Sequence, residues 1–325
     1  METRYTVGIA GSTNHTRICA EALRQTGSFE ILWVLTPPPQ PLGRKQVVTK
    51  NPLHVWAEEH NFPVVAVEGK ILVELQSQLT PQPEFLLVVD FGYLVPNWML
   101  ELPKIAPLNI HPSLLPRWRG SSPGQFVLLH GEKNSAVTIM VMGEGLDTGP
   151  ILWQGEFAVN PTWTQTSYYQ HSFELAAKEL AVVIKKIALG ELKPRPQPDE
   201  SPTVVAKRFK KDDGFIAWET IAQAAGIAFQ KSQDISELTG QDTSVLIQEV
   251  HERTRHSWSS LINDAVHALS PWPGVWTFLP TTKGLKRLKI LVSRINNDEL
   301  VLEVVQLEGE TLQSWNDVKP RLSTF

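Results

Sequence analysis

The sequence contains a single cysteine, Cys19, among 325 residues, so the chain forms no intramolecular disulfide. Such scarcity is typical of proteins in a reducing compartment. No apolar run approaches the ~20 residues that a membrane-spanning helix needs. The opening residues, METRYTVGIAG, place charged side chains directly before a strand-like stretch and lack the apolar core of a signal peptide. We therefore expect a soluble, cytoplasmic protein that does not contact a membrane.

Two common ligand signatures are also missing. Gly8 and Gly11 follow the first apolar run, but the complete G-x-G-x-x-G pattern of dinucleotide-binding turns is absent. Close packing of a helix against a strand explains these two glycines. No cluster with metal-ligand spacing is visible, so we predict no metal site. The net charge of −4 excludes a strongly basic protein.

Short apolar runs alternate with amphipathic stretches through the first half of the chain, and this order predicts an α/β fold with a mostly parallel, Rossmann-like sheet. Tyr5 to Ala10 reads as the first strand, and Phe85 to Val89 as a strand covered on both faces. Thr164 to Leu189 has the periodicity of a long amphipathic helix. Ligands of such folds bind beyond the carboxyl ends of the strands.

A proline-rich, polar segment follows, and its composition is typical of a semi-rigid spacer between domains. We predict a catalytic domain over 1–192, a linker over 193–205 and a second domain over 206–325. In the second domain, Trp258 to Leu269 reads as a helix and three later runs as strands, which predicts a small, β-barrel-like (OB-like) domain. Residues 219–257 form an insertion to which the sequence assigns no role.

An Asn and a His stand two residues apart at the end of an apolar run, in LNIHP. Because successive side chains of a strand alternate between faces, Asn109 and His111 point the same way and share one site. Both donate hydrogen bonds, as stabilisation of an oxyanion at a tetrahedral carbon requires. The competing interpretation is a strand end whose polar groups are satisfied within the protein.

Asp147 lies in the glycine-rich stretch GEGLDTGP, between two strand-like segments. A carboxylate on such a loop orients an imidazole and relays protons through water. An ordinary hairpin aspartate is the competing interpretation.

Taken together, NIH followed by SLLPRWRG, and then GLDTG, resemble the folate-dependent formyltransferases. VTIMVMGEGLDTGPIL and NDAVHALSPWPGVWT are most similar to the branch of that family that formylates methionyl-tRNA. The resemblance covers most of the chain. It implies that Asn109, His111 and Asp147 are the catalytic residues and that 10-formyltetrahydrofolate is the formyl donor. It also implies that the acceptor is the amine of methionine on initiator methionyl-tRNA.

The resemblance further implies a set of folate-binding positions, in the loop DFGYLVP and around the two motifs. These are Phe91, Gly92, Tyr93, Leu94, Ser113, Leu114, Leu115, Pro116, Gly145 and Leu146. A plain strand-to-helix turn is the alternative for the first four. Asp90 departs from the family pattern, because relatives usually carry a small residue there.

Basic residues near the site and in the second domain are the predicted tRNA contacts. They are Arg44, Lys45, Arg117, Arg119, Lys283, Lys286, Arg287 and Lys289. Arginine binds phosphate bidentately, although internal ion pairs explain Arg117 and Arg119 almost as well. The loop from Thr36 to Pro52 is less basic than the family pattern, and Glu310 stands where basic residues are common. Acidic residues slightly outnumber basic ones beyond Pro202, which weakens the case for binding by counterion release.

The predicted function is therefore formyl transfer to methionyl-tRNA for translation initiation, by direct displacement in a monomeric enzyme. Two alternatives remain open for the chemistry: formylation of another amine, such as an amino sugar on a nucleotide, and hydrolysis of the formyl folate. A tRNA-binding protein without activity is the third alternative.

Overall fold

The computed structural model describes residues 4–43, 45–228 and 242–322 of the chain. The chain divides into two compact units, each assembled from three segments. The first unit contains Met1–Gly120, Ser135–Phe157 and Tyr169–Val205, and the second contains Ser121–Asn134, Ala158–Tyr168 and Ala206–Phe325. The division differs from the predicted one, since two short segments of the predicted catalytic domain belong to the second unit and the predicted linker belongs to the first.

A seven-stranded sheet, in the order β5-β2-β1-β6-β7-β8-β9, forms the centre of the first unit. Two further strands, β3 and β4, make a separate antiparallel hairpin in the loop between β2 and β5. The strands are β1 (Tyr5–Gly11), β2 (Phe29–Thr36), β3 (Gln40–Leu42), β4 (Val47–Thr49), β5 (Val64–Ala66), β6 (Phe85–Val89), β7 (Ala106–His111), β8 (Asn134–Val141) and β9 (Ile151–Ala158). The pairs among β5, β2, β1, β6 and β7 are parallel, and β7 pairs antiparallel with β8. The predicted fold class is thereby confirmed.

Register brings the ends of three central strands to one edge of this sheet. Gly11 at the end of β1 is opposite Val89 on β6, and Val88 is opposite Asn109 on β7. All five residues of β6 are buried, as expected for a parallel strand covered on both faces. The predicted catalytic pair on β7 therefore lies at the carboxyl edge, where ligands of this class of fold bind.

The helices of the first unit are α1 (Asn14–Gln25), α2 (Pro52–Glu59), α3 (Asn97–Leu100) and α5 (Gln165–Ala188), whose first turn belongs to the second unit. The side chain of Thr13 caps α1 by accepting hydrogen bonds from the N–H groups of His15 and Thr16. Leu23 of α1 and Leu180 of α5 are fully buried in the same hydrophobic core.

Gly11 has the structural role that the sequence predicts. A Cβ added at this position would lie 2.4 Å from the side chain of Thr16 on α1 and 2.5 Å from the carbonyl oxygen of Val89. Only glycine fits, because the helix start approaches the strand end so closely. This confirms close packing of a helix against a strand as the explanation of Gly11.

The second unit contains a four-stranded antiparallel sheet, in the order β10-β11-β12-β13. Its strands are β10 (Val275–Thr281), β11 (Gly284–Asn296), β12 (Glu299–Leu307) and β13 (Leu312–Ser314). Its helices are α4 (Pro123–Leu129), α6 (Trp218–Ala224), α7 (Val245–Thr254), α8 (Trp258–Leu269) and α9 (Trp315–Val318). Helix α8 has the predicted bounds. The insertion over 219–257 contributes α6 and α7, and its residues 229–241 lie outside the described residues.

Among the described residues, no helix combines the length and the apolar character that crossing a bilayer requires.

Candidate active site

Asn109 and His111 lie at the end of β7, where they alternate with the buried residues Leu108 and Ile110. Asn109 is partly exposed, whereas His111 is 4% exposed. The apolar residues anchor the strand on one face of the sheet, and the alternation of side chains turns the two polar residues toward the other. The local sequence therefore delivers both hydrogen-bond donors to the same side of the carboxyl edge.

The imidazole of His111 is oriented from two sides. Its Nε2 lies 3.0 Å from the carbonyl oxygen of Trp118, and its Nδ1 lies 3.6 Å from Oδ2 of Asp147. Because a carbonyl only accepts, Nε2 carries a hydrogen and donates it to Trp118. Nδ1 is therefore the ring nitrogen that faces Asp147. Its separation from Asp147 is too long for a direct hydrogen bond and within the range of an ion pair.

The loop between β8 and β9 carries Asp147 in an uncommon backbone conformation, with φ of +52°. Its Oδ2 accepts a hydrogen bond of 2.9 Å from the N–H of Gly120. Trp118, in the turn after β7, also has a positive φ, of +59°. Non-glycine residues in this region are held there by their surroundings at some cost in energy, and such residues concentrate at functional sites. The two motifs that the sequence separates therefore meet through Asp147.

Close packing also determines the path of this loop. A Cβ at Gly149 would lie 1.8 Å from the carbonyl oxygen of Val141, which is backbone and has little freedom to move. The side chain of Asn97 on α3 donates a hydrogen bond of 2.8 Å to Glu144 at the start of the loop. The loop is thus fixed near both of its ends.

The structure brings one further side chain to Asp147 that the sequence analysis missed. Gln197, in the proline-rich segment, donates hydrogen bonds to the carbonyl oxygens of Asp147 and Gly149. No local pattern marks Gln197, since the segment reads as a spacer by composition. Only the contact itself, 50 residues away along the chain, reveals its place.

The turn SLLP after β7 is held by its own hydrogen bonds. Ser113 is fully buried, and its hydroxyl donates to the carbonyl oxygen of Arg117 at 2.7 Å. The hydroxyl of Thr138 on β8 donates to the carbonyl oxygen of Ser113 at 2.7 Å. Leu115 is buried in a small cluster with Met140 and Ile151. The side chains of Ser113 and Leu115 thus shape the turn, while Leu114 and Pro116 are partly exposed.

The loop after β6, predicted to contact folate, presents apolar groups at its surface. The rings of Phe91 and Tyr93 lie 5.1 Å apart, and Leu94 is 91% exposed. A Cβ at Gly92 would meet no described atom within 4 Å. In the other predicted loop, Leu146 is 59% exposed. A folate role for these residues stays a prediction.

The predicted tRNA contacts of the first unit have different environments. Arg44 lies outside the described residues. Lys45 is exposed between β3 and β4, and the guanidinium of Arg117 lies 5.7 Å from the centroid of the Trp118 ring. Arg119 is 6% exposed, and its guanidinium donates to Gln197, Pro198 and Asp199. A tRNA contact by Arg119 stays a prediction, and the structure shows that its guanidinium donates hydrogen bonds inside the protein.

The predicted basic group of the second unit does not share one face. Lys283 is exposed beside the turn between β10 and β11. On β11, Lys286 alternates with Arg287 and Lys289, so it points to the opposite side of the strand. Lys286 lies 3.7 Å from Glu310, and the guanidinium of Arg287 lies 6.0 Å from the centroid of the Trp276 ring. The ion pair with Glu310 reduces the positive charge that the group presents.

In the described part of the chain, no three His, Cys, Asp or Glu side chains are grouped so that they could hold a metal ion.

Comparison with protein families matches residues 3–184 to the model described as "Formyl transferase". The methionyl-tRNA formyltransferase of Citrifermentans bemidjiense is 30% identical over 251 residues, which are 77% of this chain and 67% of the relative. That of Chloroflexus aurantiacus is 38% identical over 211 residues, 64% of this chain and 67% of the relative.

Two solved structures share the fold. The methionyl-tRNA formyltransferase of Clostridium thermocellum superposes with a TM-score of 0.54 at 13% identity, covering 93% of this chain and 98% of that one. An N-formyltransferase of Helicobacter canadensis, in complex with folinic acid and dTDP-3-aminofucose, gives a TM-score of 0.57 at 17% identity, covering 90% and 88%.

Proposed function

Because this chain belongs to the formyl transferase family, we propose that it transfers the formyl group of 10-formyltetrahydrofolate to the amino group of methionine on initiator methionyl-tRNA. The names of the similar curated proteins support the acceptor. The observation that supports the chemistry is the distance of 3.6 Å between Oδ2 of Asp147 and Nδ1 of His111. His111 stands two residues after Asn109 on the same strand. A carboxylate, an imidazole and an amide at one strand end are suited to acyl transfer.

The reaction is a direct displacement at the formyl carbon. The amine nitrogen of the acceptor forms a bond to this carbon, and the carbonyl oxygen becomes an oxyanion. The amide of Asn109 and the protonated imidazole of His111 donate hydrogen bonds to that oxygen. Because Nε2 donates to Trp118, the donor to the oxyanion is Nδ1–H. Collapse of the intermediate breaks the bond between the carbon and the folate nitrogen.

Asp147 has two tasks in this scheme. Its carboxylate stabilises the positive charge on His111 from ion-pair distance. It also receives, through a water molecule, the proton that the amine loses, and returns it to the departing folate nitrogen. No covalent enzyme intermediate forms, and the residues regain their initial protonation states after each turnover.

A second acceptor is favoured by one observation. Arg119 is used internally, and Lys286 lies near Glu310, so two of the basic residues predicted to hold tRNA have other partners. An amino sugar on a nucleotide places far fewer phosphates on the protein and needs fewer cationic contacts. The same catalytic scheme formylates either amine.

The test is transfer of a labelled formyl group from 10-formyltetrahydrofolate, with methionyl initiator tRNA or an amino-sugar nucleotide as acceptor and with release of folate monitored in parallel. We expect label on the tRNA, and a loss on the order of 10²-fold or more in the rate for His111→Ala. His60→Ala, which changes a histidine at the end of α2, is the matched control and should retain activity.

Each result of this assay has one meaning. If the label appears on the sugar nucleotide and not on the tRNA, the acceptor is the amino sugar. Release of folate without any labelled acceptor indicates hydrolysis. Near-normal turnover by a folded His111→Ala variant refutes the catalytic assignment.

A further inference from the structure

The proline-rich segment, residues 193–205, is fastened to the two motifs of the candidate active site. The backbones of Arg195 and Ile151 exchange hydrogen bonds of 2.7 and 2.8 Å. The hydroxyl of Ser201 donates to the carbonyl oxygen of Pro116 at 2.8 Å, and the hydroxyl of Thr203 accepts from the N–H of Trp118 at 2.7 Å. This part of the chain is therefore a component of the first unit, although its composition is that of a spacer.

Gln197 makes the contact of this segment with Asp147. Its Nε2 lies 3.0 Å from the carbonyl oxygen of Asp147 and 2.6 Å from that of Gly149. Both hydrogens of the amide are thus used on the loop that carries the carboxylate. A single side chain spans the backbone on both sides of Thr148.

Arg119 determines which way the amide of Gln197 points. The Oε1 of Gln197 accepts from Nε and Nη2 of Arg119 at 3.2 and 3.0 Å. Because arginine only donates, the oxygen of the amide faces Arg119 and the nitrogen faces the loop. Arg119 is held in turn by the carbonyl oxygens of Pro198 and Asp199, at 2.7 and 3.0 Å.

Asp147 needs such support for a physical reason. Its φ of +52° is unfavourable for a residue with a side chain. A loop with three nearby glycines has many other conformations. Hydrogen bonds to the carbonyl oxygens of Asp147 and Gly149 favour the one in which the carboxylate faces His111.

From these contacts we infer that Gln197 is a positioning residue, which holds the Asp147 backbone so that the carboxylate faces Nδ1 of His111, and that Arg119 orients Gln197. The inference rests on the proposed function, because it assigns to Gln197 an effect exerted through Asp147. It predicts that loss of the two donors lowers kcat more than it changes the binding of folate.

Gln197→Glu is the informative variant. It preserves size and the acceptor for Arg119, but it replaces both donors by an oxygen that faces two carbonyl oxygens. We expect kcat to fall about 10- to 100-fold, since misplacement of a catalytic group by about 1 Å can cost 10²-fold. The KM for the formyl folate should change less than kcat, because Gln197 bonds to Asp147 and Gly149, and neither is among the predicted folate-binding positions. Arg195→Ala, in the same segment, is the matched control and should keep kcat.

The double variant with Asp147→Asn separates this inference from the proposed function. The rate of formyl transfer is measured in single turnovers with enzyme in excess. If Gln197 acts through Asp147, adding Gln197→Glu to Asp147→Asn lowers this rate little further. Normal kcat for Gln197→Glu with an impaired Asp147→Asn overturns the inference only. Normal activity of Asp147→Asn overturns the catalytic role of Asp147. If Gln197→Glu fails to fold, Gln197→Met is used in its place. The inference is overturned if the rate losses of Gln197→Met and Asp147→Asn add fully in the double variant.

Discussion

Nδ1 of His15 lies 2.9 Å from Oδ2 of Asp90, and this pair joins the first turn of α1 to the loop that follows β6. The ring of His15 also stacks on Phe173 of α5, with centroids 4.6 Å apart and planes 14° from parallel. Asp90 has a φ of +46°. Asp90, which departs from the family pattern, is thus paired with His15. This pair holds one end of the loop predicted to contact folate.

Loss of this pair should weaken folate binding modestly. Asp90→Gly removes the carboxylate and tolerates the positive φ. The side chain of Asp90 is 43% exposed, and exposed pairs contribute up to about 1 kcal/mol, so we expect KM for the formyl folate to rise by at most about fivefold at unchanged kcat. Steady-state kinetics with Asp90→Asn as control, which keeps an acceptor for His15, provides the test. A large fall in kcat would instead place Asp90 in the chemistry.

The loop that carries Asp147 should tolerate a methyl group at one glycine and not at another. Gly149→Ala places a Cβ 1.8 Å from the Val141 carbonyl oxygen, so the backbone must move and Asp147 with it. We expect a loss of about 1–3 kcal/mol in the free energy of unfolding, together with a strong loss of kcat. Gly143→Ala, where no described atom lies within 4 Å, should leave both unchanged. Urea titration measures the free energy of unfolding, and the formyl-transfer assay measures kcat. Equal values for Gly149→Ala and Gly143→Ala would contradict the prediction.

Asn109 should matter for rate far more than for stability. Its side chain is partly exposed on β7, so Asn109→Ala costs little packing. Loss of one oxyanion donor typically lowers kcat by about 10²–10³-fold. Kinetics and thermal unfolding of the same sample check both parts. A variant with normal kcat would show that His111 stabilises the oxyanion without Asn109.

Asp264 on α8 should make stability depend on pH. Burial raises its pKa to about 7, against an opposing attraction by Lys133, and His256 lies 3.8 Å away. A raised pKa means that the folded state favours the protonated acid. The contribution of this group to stability is complete below its ordinary pKa near 4 and is lost as the pH rises to about 7.

Asp264→Asn removes that dependence. Relative to the parent protein, we expect the variant to gain stability between pH 4 and pH 7, by up to a few kcal/mol. Chemical unfolding at pH 4, 5.5, 7 and 8 measures the difference. A difference that is constant across this range would show that Asp264 has an ordinary pKa in the folded protein.

Among the predicted tRNA contacts of the second unit, Lys283 should contribute most to binding. It is exposed, whereas Lys286 lies 3.7 Å from Glu310. We expect Lys283→Gln to weaken tRNA binding. The slope of the logarithm of the binding constant against the logarithm of the salt concentration should become less steep by about 1. Lys286→Gln is the comparison and should change it less. Identical salt slopes for Lys283→Gln and the parent protein would exclude a phosphate contact.

Much of this protein is determined by short stretches of sequence. The strand period of two places Asn109 and His111 on one side of β7, and helical periodicity predicts α8 with its observed bounds. The fully apolar run of β6 marks a buried parallel strand. Such features depend on neighbours within a few residues, so the order of the residues suffices to predict them.

Tertiary structure alone decided the surroundings of the candidate catalytic groups. The sequence leaves Arg119 either as a tRNA contact or as part of an internal ion pair, and Gln197 reads as part of a spacer. In the structure Arg119 donates to Gln197, which in turn donates to the Asp147 loop. The contact from Gln197 to Arg119 spans 78 residues, and that to Asp147 spans 50. Local composition does not predict such pairs, because they form only when the packed sheet brings distant turns to the same edge.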